Sequence, residues 1–217
     1  MKNKRVVPTI FSLDKKEFKK RFEKIVKIAD KIQIDFMDGK FVPAKSLSLN
    51  DIPNLKKYKK IFEAHLMVLH PEKWFKGCKT KGFKRVIFHV ESVEDPFKII
   101  SLAKKIGLEV YIAINPSTSL KKINPIIKRN LADGILLLGV QPGKENQKLS
   151  FNIPRRIKKI KKMNEKIIVE VDGGINDKTI KKVAKAGVDK VNSGSFVSKS
   201  KNPKKQIEIL EKIFRQV

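Results

Sequence analysis

The sequence predicts an α/β fold, a (βα)8 TIM barrel that residues 1–217 form as a single domain. Short runs rich in β-branched and aromatic residues alternate eight times with amphipathic, lysine-rich segments. No low-complexity linker or shift of composition interrupts this alternation. The length also fits, because barrels of this type usually take about 200–250 residues.

Eight runs have the length and composition of buried strands. In chain order they are VVPTIF (6–11), KIQIDFM (31–37), IFEAHLMV (61–68), RVIFHVE (85–91), EVYIAIN (109–115), GILLLGV (134–140), KIIVEVD (166–172) and KVNSGSF (190–196). An open, doubly wound sheet is the alternative arrangement, but eight uninterrupted units favour a closed barrel.

Helical spacing of apolar residues predicts helices between these runs, for example over 14–30, 95–107 and 176–187, and a last one over 202–217. Polar residues suited to N-caps and glycines suited to helix ends support these positions. The N-cap candidates are Asp14, Asp95, Ser119 and Asn176, and the C-terminal glycines are Gly107 and Gly187.

The formal charge of +28 is the most unusual global property of the chain. Lysines recur in segments such as KKEFKK and RRIKKIKK, interleaved with apolar residues, as on solvated helix faces. Arginine, which makes most bidentate contacts to bases, is scarce beside lysine. The pattern argues against a nucleic-acid partner, although the charge favours anionic metabolites.

Several absences predict a cytoplasmic protein that does not enter a membrane. No apolar run approaches the roughly 18 residues that a transmembrane helix needs. The N-terminus has no long apolar segment of the kind found in signal peptides. The single cysteine, Cys78, rules out an internal disulfide and fits a reducing compartment.

Polar residues stand near the ends of the predicted strands, where a barrel builds its active site. Alternation puts Gln33, Asp35 and Met37 on one face of the second strand. Residues at comparable positions elsewhere are Ser12, His65, Met67, His89, Glu91, Asn115, Glu170 and Asp172. A carboxylate within an apolar strand is costly unless it is paired or metal-bound, so Asp35, His65 and Asp172 predict a shared site.

Structural alternatives exist for several other polar residues and for the methionines. His89 suits a structural role as well as a functional one. Glu170 lies deeper than Asp172 and suits an ion pair with a lysine inside the barrel. Asp38 suits a turn. Methionines such as Met37 and Met67 are usually core residues, although here they would line the mouth of the barrel.

Glycines follow the seventh and eighth strands, where barrels commonly bind phosphate through backbone N–H groups. These positions predict a phosphate site at Gly173, Gly174, Gly194 and Ser195. The loop after the sixth strand, QPGKENQ (141–147), could cover the same mouth or be an ordinary turn.

An ordered series of motifs extends from about residue 6 to about residue 203. It comprises PTIFSLD, QIDFMDGKFVP, EAHLMV, IFHVE, AINPSTSL, VQPGKENQK and VEVDGGIN followed by GSF. The series resembles the ribulose-phosphate 3-epimerase family of ribulose-phosphate-binding barrels. Each motif alone is weak, but the ordered and correctly spaced set is specific.

The resemblance implies an isomerase of the pentose phosphate pathway, a carbohydrate-phosphate epimerase that interconverts D-ribulose 5-phosphate and D-xylulose 5-phosphate through an enediolate. It implies Asp35 and Asp172 as the catalytic acid/base pair, and Asp35, His65 and Asp172 as ligands of a divalent Zn, Mn, Fe or Co ion. Substrate and phosphate contacts would come from Ser12, Met37, Met67, Gly143, Gln147, Gly173, Gly174, Gly194 and Ser195. Family members commonly form homo-oligomers, so self-association is expected.

Four departures from the family pattern fall at this site. Two are smaller: Leu138 replaces a methionine of the family and Ala44 replaces an asparagine. Gln33 replaces the histidine of the family's His-X-Asp motif, so an amide oxygen would have to serve as the fourth metal ligand, which favours Mg or Mn over Zn. The family's PGFGGQ loop becomes Pro-Gly-Lys-Glu-Asn-Gln over 142–147, with two glycines and an aromatic residue lost.

These departures leave three other functions open besides the leading one. The chain could epimerise another ketose phosphate, such as a hexulose 6-phosphate, with the same acids. It could bind sugar phosphates without catalysis. The net charge alone motivates the last alternative, association with nucleic acid.

Overall fold

The computed structural model describes residues 5–143 and 147–217. Within these residues, eight strands and eight α-helices follow one another, mostly in alternation. The strands are β1 (Arg5–Ile10), β2 (Lys31–Met37), β3 (Ile61–Met67), β4 (Arg85–His89), β5 (Glu109–Ile114), β6 (Gly134–Leu138), β7 (Ile168–Asp172) and β8 (Lys190–Ser193). The helices are α1 (Lys15–Ile25), α2 (Glu72–Lys81), α3 (Pro96–Lys105), α4 (Asn124–Lys128), α5 (Ile153–Met163), α6 (Ile180–Lys185), α7 (Ser195–Ser198) and α8 (Pro203–Arg215).

The strands form a closed parallel barrel in sequence order. Closure occurs between β1 and β8, where Val7 pairs with Asn192 and Pro8 with Ser193. The longest pairing joins β2 to β3 and sets Asp35 beside His65. The predicted TIM barrel is therefore confirmed, and the open-sheet alternative is wrong.

Local signals explain where several helices begin and end. The side chain of Asp14 accepts a hydrogen bond from the backbone N–H of Glu17, and that of Asp95 accepts from Phe97 and Lys98. Gly107 and Gly187 follow α3 and α6 with positive φ angles. Asn176 caps the turn that leads into α6, since its side chain accepts hydrogen bonds from the backbone N–H groups of Lys178 and Thr179. Its carbonyl accepts from Ile180, the first residue of α6.

The β2–β3 connection departs from the regular alternation. Two short 3-10 segments, Leu49–Asp51 and Leu55–Lys57, take the place of a crossover α-helix. Leu47, Ile52 and Leu55 from this connection are buried in the core. Their burial covers the outer face of the neighbouring strands as a helix would.

Alternating side chains of each strand divide the core into two parts. Outward-facing residues such as Ile34, Phe36 and Val171 pack beneath the helices in the large hydrophobic cluster. Inward-facing residues fill the barrel itself, where an apolar group comprises Ile87, Tyr111, Ala113, Leu136 and Leu138. The polar inward-facing residues lie in two separate clusters, one at each end of the barrel.

The cluster at the amino-terminal ends of the strands is an ion network. Arg85 binds Glu63 within the barrel, and Lys190 lies 3.5 Å from Glu170. Lys190 also donates a hydrogen bond of 2.8 Å to the hydroxyl of Tyr111. Burial and the nearby Glu170 raise the pKa of Glu63 to about 8, although Arg85 opposes this. The pairing of Glu170 with a lysine is thus as expected, and the side chains of both ion pairs are buried.

Within the described residues, no helix is both long and apolar enough to span a membrane.

Candidate active site

A cavity of about 760 Å³ lies at the carboxyl ends of the strands. Residues from β1, β2, β3, β6 and β7 and from the loops that follow β6, β7 and β8 line it. The volume falls within the range of roughly 300–1,000 Å³ that is typical of small-molecule sites. Barrel enzymes place their active sites at this end.

Asp35, His65 and Asp172 meet at the floor of this cavity. His65 Nδ1 lies 3.2 Å from Asp35 Oδ1 and 3.5 Å from Asp172 Oδ2. The His65 ring is buried, whereas each carboxylate side chain keeps 10% of its surface exposed. The structure therefore brings together the three residues that the sequence grouped, with the acids open to the cavity.

The surroundings of this group raise the pKa of both Asp35 and His65. Burial raises the pKa of Asp35 to about 6, a change that Asp172 reinforces and His65 opposes. Burial alone would lower the pKa of His65, but hydrogen bonds to Asp172 and Asp35 outweigh it and raise that pKa to about 9. Positive charge at Nδ1 of His65 is thus favoured by the two carboxylates around it.

The amide of Gln33 completes this group. Its Nε2 donates to Asp35 Oδ1 at 2.8 Å and to Asp172 Oδ2 at 2.6 Å. Its Oε1 accepts a hydrogen bond from Asn192 Nδ2. An uncharged amide nitrogen is not a metal ligand, so the prediction that Gln33 binds a metal requires its oxygen to turn inward.

The donor set fits a divalent cation. One ligand atom from each of Asp35, His65 and Asp172 can be chosen so that all three lie within 4.8 Å of one another. Two carboxylates and an imidazole suit the divalent ions of the first transition row.

A buried chain of hydrogen-bonding groups runs from His65 to His89 and Glu91. The Nε2 atoms of the two histidines are 3.0 Å apart, and His89 Nδ1 is 3.4 Å from Glu91 Oε2. Burial lowers the pKa of His89, which favours its neutral form as an acceptor for the N–H of His65. His89 therefore orients His65 and leaves Nδ1 facing the acids, a common arrangement behind metal-binding histidines.

Asp38 has the turn-forming role that the sequence left open for it. Its carboxylate accepts hydrogen bonds from the backbone N–H groups of Lys40, Phe41 and Leu69. These bonds join the loop after β2 to the loop after β3. They lower the pKa of Asp38 against the effect of burial.

Met37 and Met67 lie side by side on β2 and β3 and line the cavity. They pack with Val42 in a small apolar cluster that is separate from the main core. A flexible apolar surface thus lies just above the two acids.

The predicted phosphate loops line the same cavity. Gly173, Gly174, Gly194 and Ser195 all contribute to its wall, together with Lys182 and Lys199. Gly174 has a φ of +72°, and a Cβ atom there would lie 2.6 Å from the backbone nitrogen of Leu149. Only glycine suits this close approach between the loops after β6 and β7.

The loop after β6 is described only in part. Gly143 and Gln147 both line the cavity, and Gln147 Nε2 donates to the backbone oxygen of Gln141 at 2.6 Å. Residues 144–146, where the sequence departs most from the family pattern, lie outside the described residues.

Ser12 was expected to contact substrate, but it is not among the residues that line the cavity. Its hydroxyl donates to the backbone oxygen of Asp14 and lies 3.1 Å from Glu17 Oε2. Alternation along β1 turns Thr9 toward the cavity instead. Thr9 was missed although its position in VVPTIF carried this signal.

Asn192 was also missed. It is fully buried on β8 and contacts Gln33, which is 159 positions away in sequence. Alternation with the buried Lys190 indicated an inward-facing side chain, but no local pattern indicated its partner.

Comparison with solved structures agrees with the barrel fold. The 3-hexulose-6-phosphate synthase from Salmonella typhimurium superposes with a TM-score of 0.72 and 18% identity, covering 98% of this chain and 99% of that one. At this identity the similarity concerns the fold alone.

Sequence relatives are more specific. The chain is 30% identical to the ribulose-phosphate 3-epimerase of Helicobacter pylori over 214 residues, which cover 96% of this chain and 97% of the relative. It is 31% identical to the enzyme of the same name from Mycobacterium tuberculosis over 189 residues, covering 85% and 82%. The model of the ribulose-phosphate 3 epimerase family matches residues 5–198. The chain belongs to the ribulose-phosphate 3-epimerase family.

Proposed function

We propose that this chain is a ribulose-phosphate 3-epimerase that interconverts D-ribulose 5-phosphate and D-xylulose 5-phosphate by proton transfer between two carboxylates. The observation that carries the proposal is the meeting of Asp35 and Asp172 beside the glycine loops of one cavity. The acids come from β2 and β7, so a sugar between them can be reached from two directions. The names of the sequence relatives support the same activity.

The reaction exchanges the hydrogen at C3, which is acidic because C2 is a carbonyl carbon. One carboxylate takes the C3 proton, and the bonding electrons pass to the C2 oxygen to form an enediolate. The other acid, already protonated, gives its proton to the opposite face of C3 and restores the carbonyl. The two acids end the cycle with their protonation states exchanged, so protons balance.

The raised pKa of Asp35 supports this role. With a pKa of about 6, Asp35 can hold or release a proton near neutral pH at little cost. Gln33 donates to both carboxylates and so keeps them in fixed positions. His65, held by His89, sets its Nδ1 between the acids.

Asp35, His65 and Asp172 would hold a divalent cation of the Zn, Mn, Fe or Co class. When bound, it would supply positive charge that stabilises the enediolate.

The other walls suit the remainder of the substrate. Backbone N–H groups of the loops at Gly173–Gly174 and Gly194–Ser195 suit a phosphate, and Lys182 and Lys199 add positive charge at the cavity wall. Met37 and Met67 offer an apolar surface for the carbon chain. Gln147 and Gly143 would contact the substrate from the loop after β6.

A substrate panel tests the proposal. The purified chain is incubated with ribulose 5-phosphate, xylulose 5-phosphate and a hexulose 6-phosphate, and products are followed by NMR. We expect kcat/KM for the pentulose phosphates to exceed that for the hexulose phosphate at least tenfold. The reverse preference would identify an epimerase of another ketose phosphate. Binding without turnover of any member would identify a non-catalytic sugar-phosphate-binding relative.

A further inference from the structure

The amide nitrogen of Gln33 occupies the point where the candidate cation ligands converge. It donates to Asp35 and Asp172 and lies 3.5 Å from His65 Nδ1. Gln33 itself is fully buried. An amide in this orientation uses both of its hydrogens on the acids and offers no lone pair to a cation.

The partner of Gln33 has an unused acceptor. Asn192 is fully buried and gives its amide nitrogen to Gln33 Oε1, while Asn192 Oδ1 has no hydrogen-bond partner among the described residues. A buried carbonyl oxygen without a donor is costly, and such groups call for an explanation. The O and N ends of an amide are nearly equal in size, so both side chains can turn over within the space they occupy.

We propose that Gln33 and Asn192 form a paired amide switch that supplies the cation with a fourth ligand. If both amides turn by half a rotation, Gln33 Nε2 donates to Asn192 Oδ1, and Gln33 Oε1 faces Asp35, Asp172 and His65. Three negative or partly negative oxygens then converge, an arrangement that a cation stabilises and that would otherwise be repulsive. Asn192 is a positioning residue in this switch, since it acts through Gln33.

The switch also selects the class of cation. The completed set has three oxygen ligands and one imidazole nitrogen. Carboxylate and carbonyl oxygens suit Mn²⁺ and Mg²⁺, whereas additional imidazole ligands favour Zn²⁺. We therefore expect Gln33 to shift the relative affinity of the site from Zn²⁺ toward Mn²⁺. The inference deepens the proposed function, since it concerns the cation of the same site.

Calorimetric titration of the chelator-treated full chain with Mn²⁺ and with Zn²⁺ tests the selectivity. Gln33→His is expected to raise the affinity for Zn²⁺ about tenfold more than the affinity for Mn²⁺. Equal changes for both ions would overturn the selectivity.

A double-mutant cycle tests the pairing. Asn192→Leu is expected to weaken Mn²⁺ binding about tenfold when Gln33 is present and to have no further effect in Gln33→Leu. Asn192→Ser keeps a hydroxyl oxygen as an acceptor and should retain most of the affinity for Mn²⁺. This variant provides the comparison if Asn192→Leu does not fold. Equal effects of Asn192→Leu in both backgrounds, or none in either, would overturn the switch. Mn²⁺ binding as expected, without epimerisation, would overturn the proposed function alone.

Discussion

Asp35 and Asp172 share a histidine and an amide donor, yet they belong to strands that are not neighbours. Each can therefore act on a substrate from its own direction. We expect Asp35→Asn and Asp172→Asn each to lower kcat by a factor on the order of 10²–10⁴. Asparagine keeps the volume and hydrogen bonding of the side chain, so the chain should still fold. Steady-state kinetics and thermal unfolding check both statements.

Asp38→Asn is the matched control for these variants. Asp38 lies near the same end of the barrel but binds backbone N–H groups. An asparagine oxygen can keep the bonds from Lys40 and Phe41, while the bond from Leu69 to Oδ2 is lost. The kcat of Asp38→Asn should remain close to that of the unaltered chain. Near-normal turnover in both Asp35→Asn and Asp172→Asn would contradict the two-acid mechanism.

Thr9 and Ser12 illustrate how far single positions can be predicted from sequence. The motif resemblance pointed to Ser12, whereas the alternation of β1 turns Thr9 into the cavity. Thr9→Val removes the hydroxyl and keeps the shape, so we expect kcat/KM to fall several-fold, as for the loss of one hydrogen bond. Ser12→Ala should change it less than twofold. A larger loss for Ser12→Ala than for Thr9→Val would support the expected contact between Ser12 and the substrate.

Glu91 makes a pH-dependent contribution to stability. Burial alone would raise its pKa, but hydrogen bonds from His89, Thr118 and the backbone N–H of Asn115 lower it to about 2. A carboxyl whose folded pKa lies below its unfolded value stabilises the fold above the unfolded pKa, near 4.5, and loses this contribution as pH falls toward 2. Between pH 6 and pH 3, the free energy of unfolding of Glu91→Gln should therefore fall by about 2 kcal/mol less than that of the unaltered chain.

Urea unfolding at several pH values between 6 and 3 measures this effect. The informative quantity is the difference in free energy of unfolding between the two proteins, since other carboxyl groups titrate in both. A difference that is constant across this pH range would contradict the assigned pKa of Glu91.

At the scale of elements, strands were predicted better than helices. All eight strands lie within or close to the predicted runs, because runs of buried β-branched residues are bounded by turns. The helix predicted over 176–187 shortens to α6 because Asn176 closes a turn first. The irregular β2–β3 connection lacked a local signal, since its packing depends on residues from elsewhere in the core.

The loop after β7 depends on glycine for its shape. Gly174→Ala adds a Cβ atom 2.6 Å from Leu149 N at a φ of +72°, so the loop has to move. We expect KM for the sugar phosphate to rise at least tenfold, because the phosphate-binding backbone shifts. Gly187→Ala is the control, with a φ of +91° and its nearest neighbour 4.0 Å away. It should cost about 1 kcal/mol of stability and leave KM unchanged.

Steady-state kinetics of the two alanine variants show whether a rise in KM comes from the loop after β7 or from backbone strain in general. An unchanged KM in Gly174→Ala would contradict the placement of the phosphate at this loop.

At the scale of the whole molecule, the order of strands and motifs predicted the barrel and the end that carries the site. It could not predict contacts across the barrel interior. The Gln33–Asn192 pair joins residues of β2 and β8, and the Lys190–Tyr111 bond joins β8 and β5. Such partners are set by closure and register, and a single sequence does not encode them in any local pattern.

The net charge of +28 belongs to this scale as well. A strongly positive surface attracts anionic substrates, and salt screens that attraction. We expect kcat/KM for a sugar phosphate to fall several-fold between low and moderate ionic strength, with kcat unchanged. Kinetics over a series of salt concentrations checks this. A kcat/KM that does not vary with salt would show that the charge has no part in substrate capture.

Hydrogen exchange at C3 distinguishes proton transfer between two carboxylates from every other reaction at this site. The chain is incubated with ribulose 5-phosphate in D2O, with and without added Mn²⁺, and C3 is followed by NMR. We expect xylulose 5-phosphate that carries deuterium at C3, because the incoming proton comes from a different acid than the one that removed the original. Asp172→Asn should not form this product. Xylulose 5-phosphate that retains its original hydrogen, or the absence of any exchange at C3, would contradict a two-carboxylate epimerase.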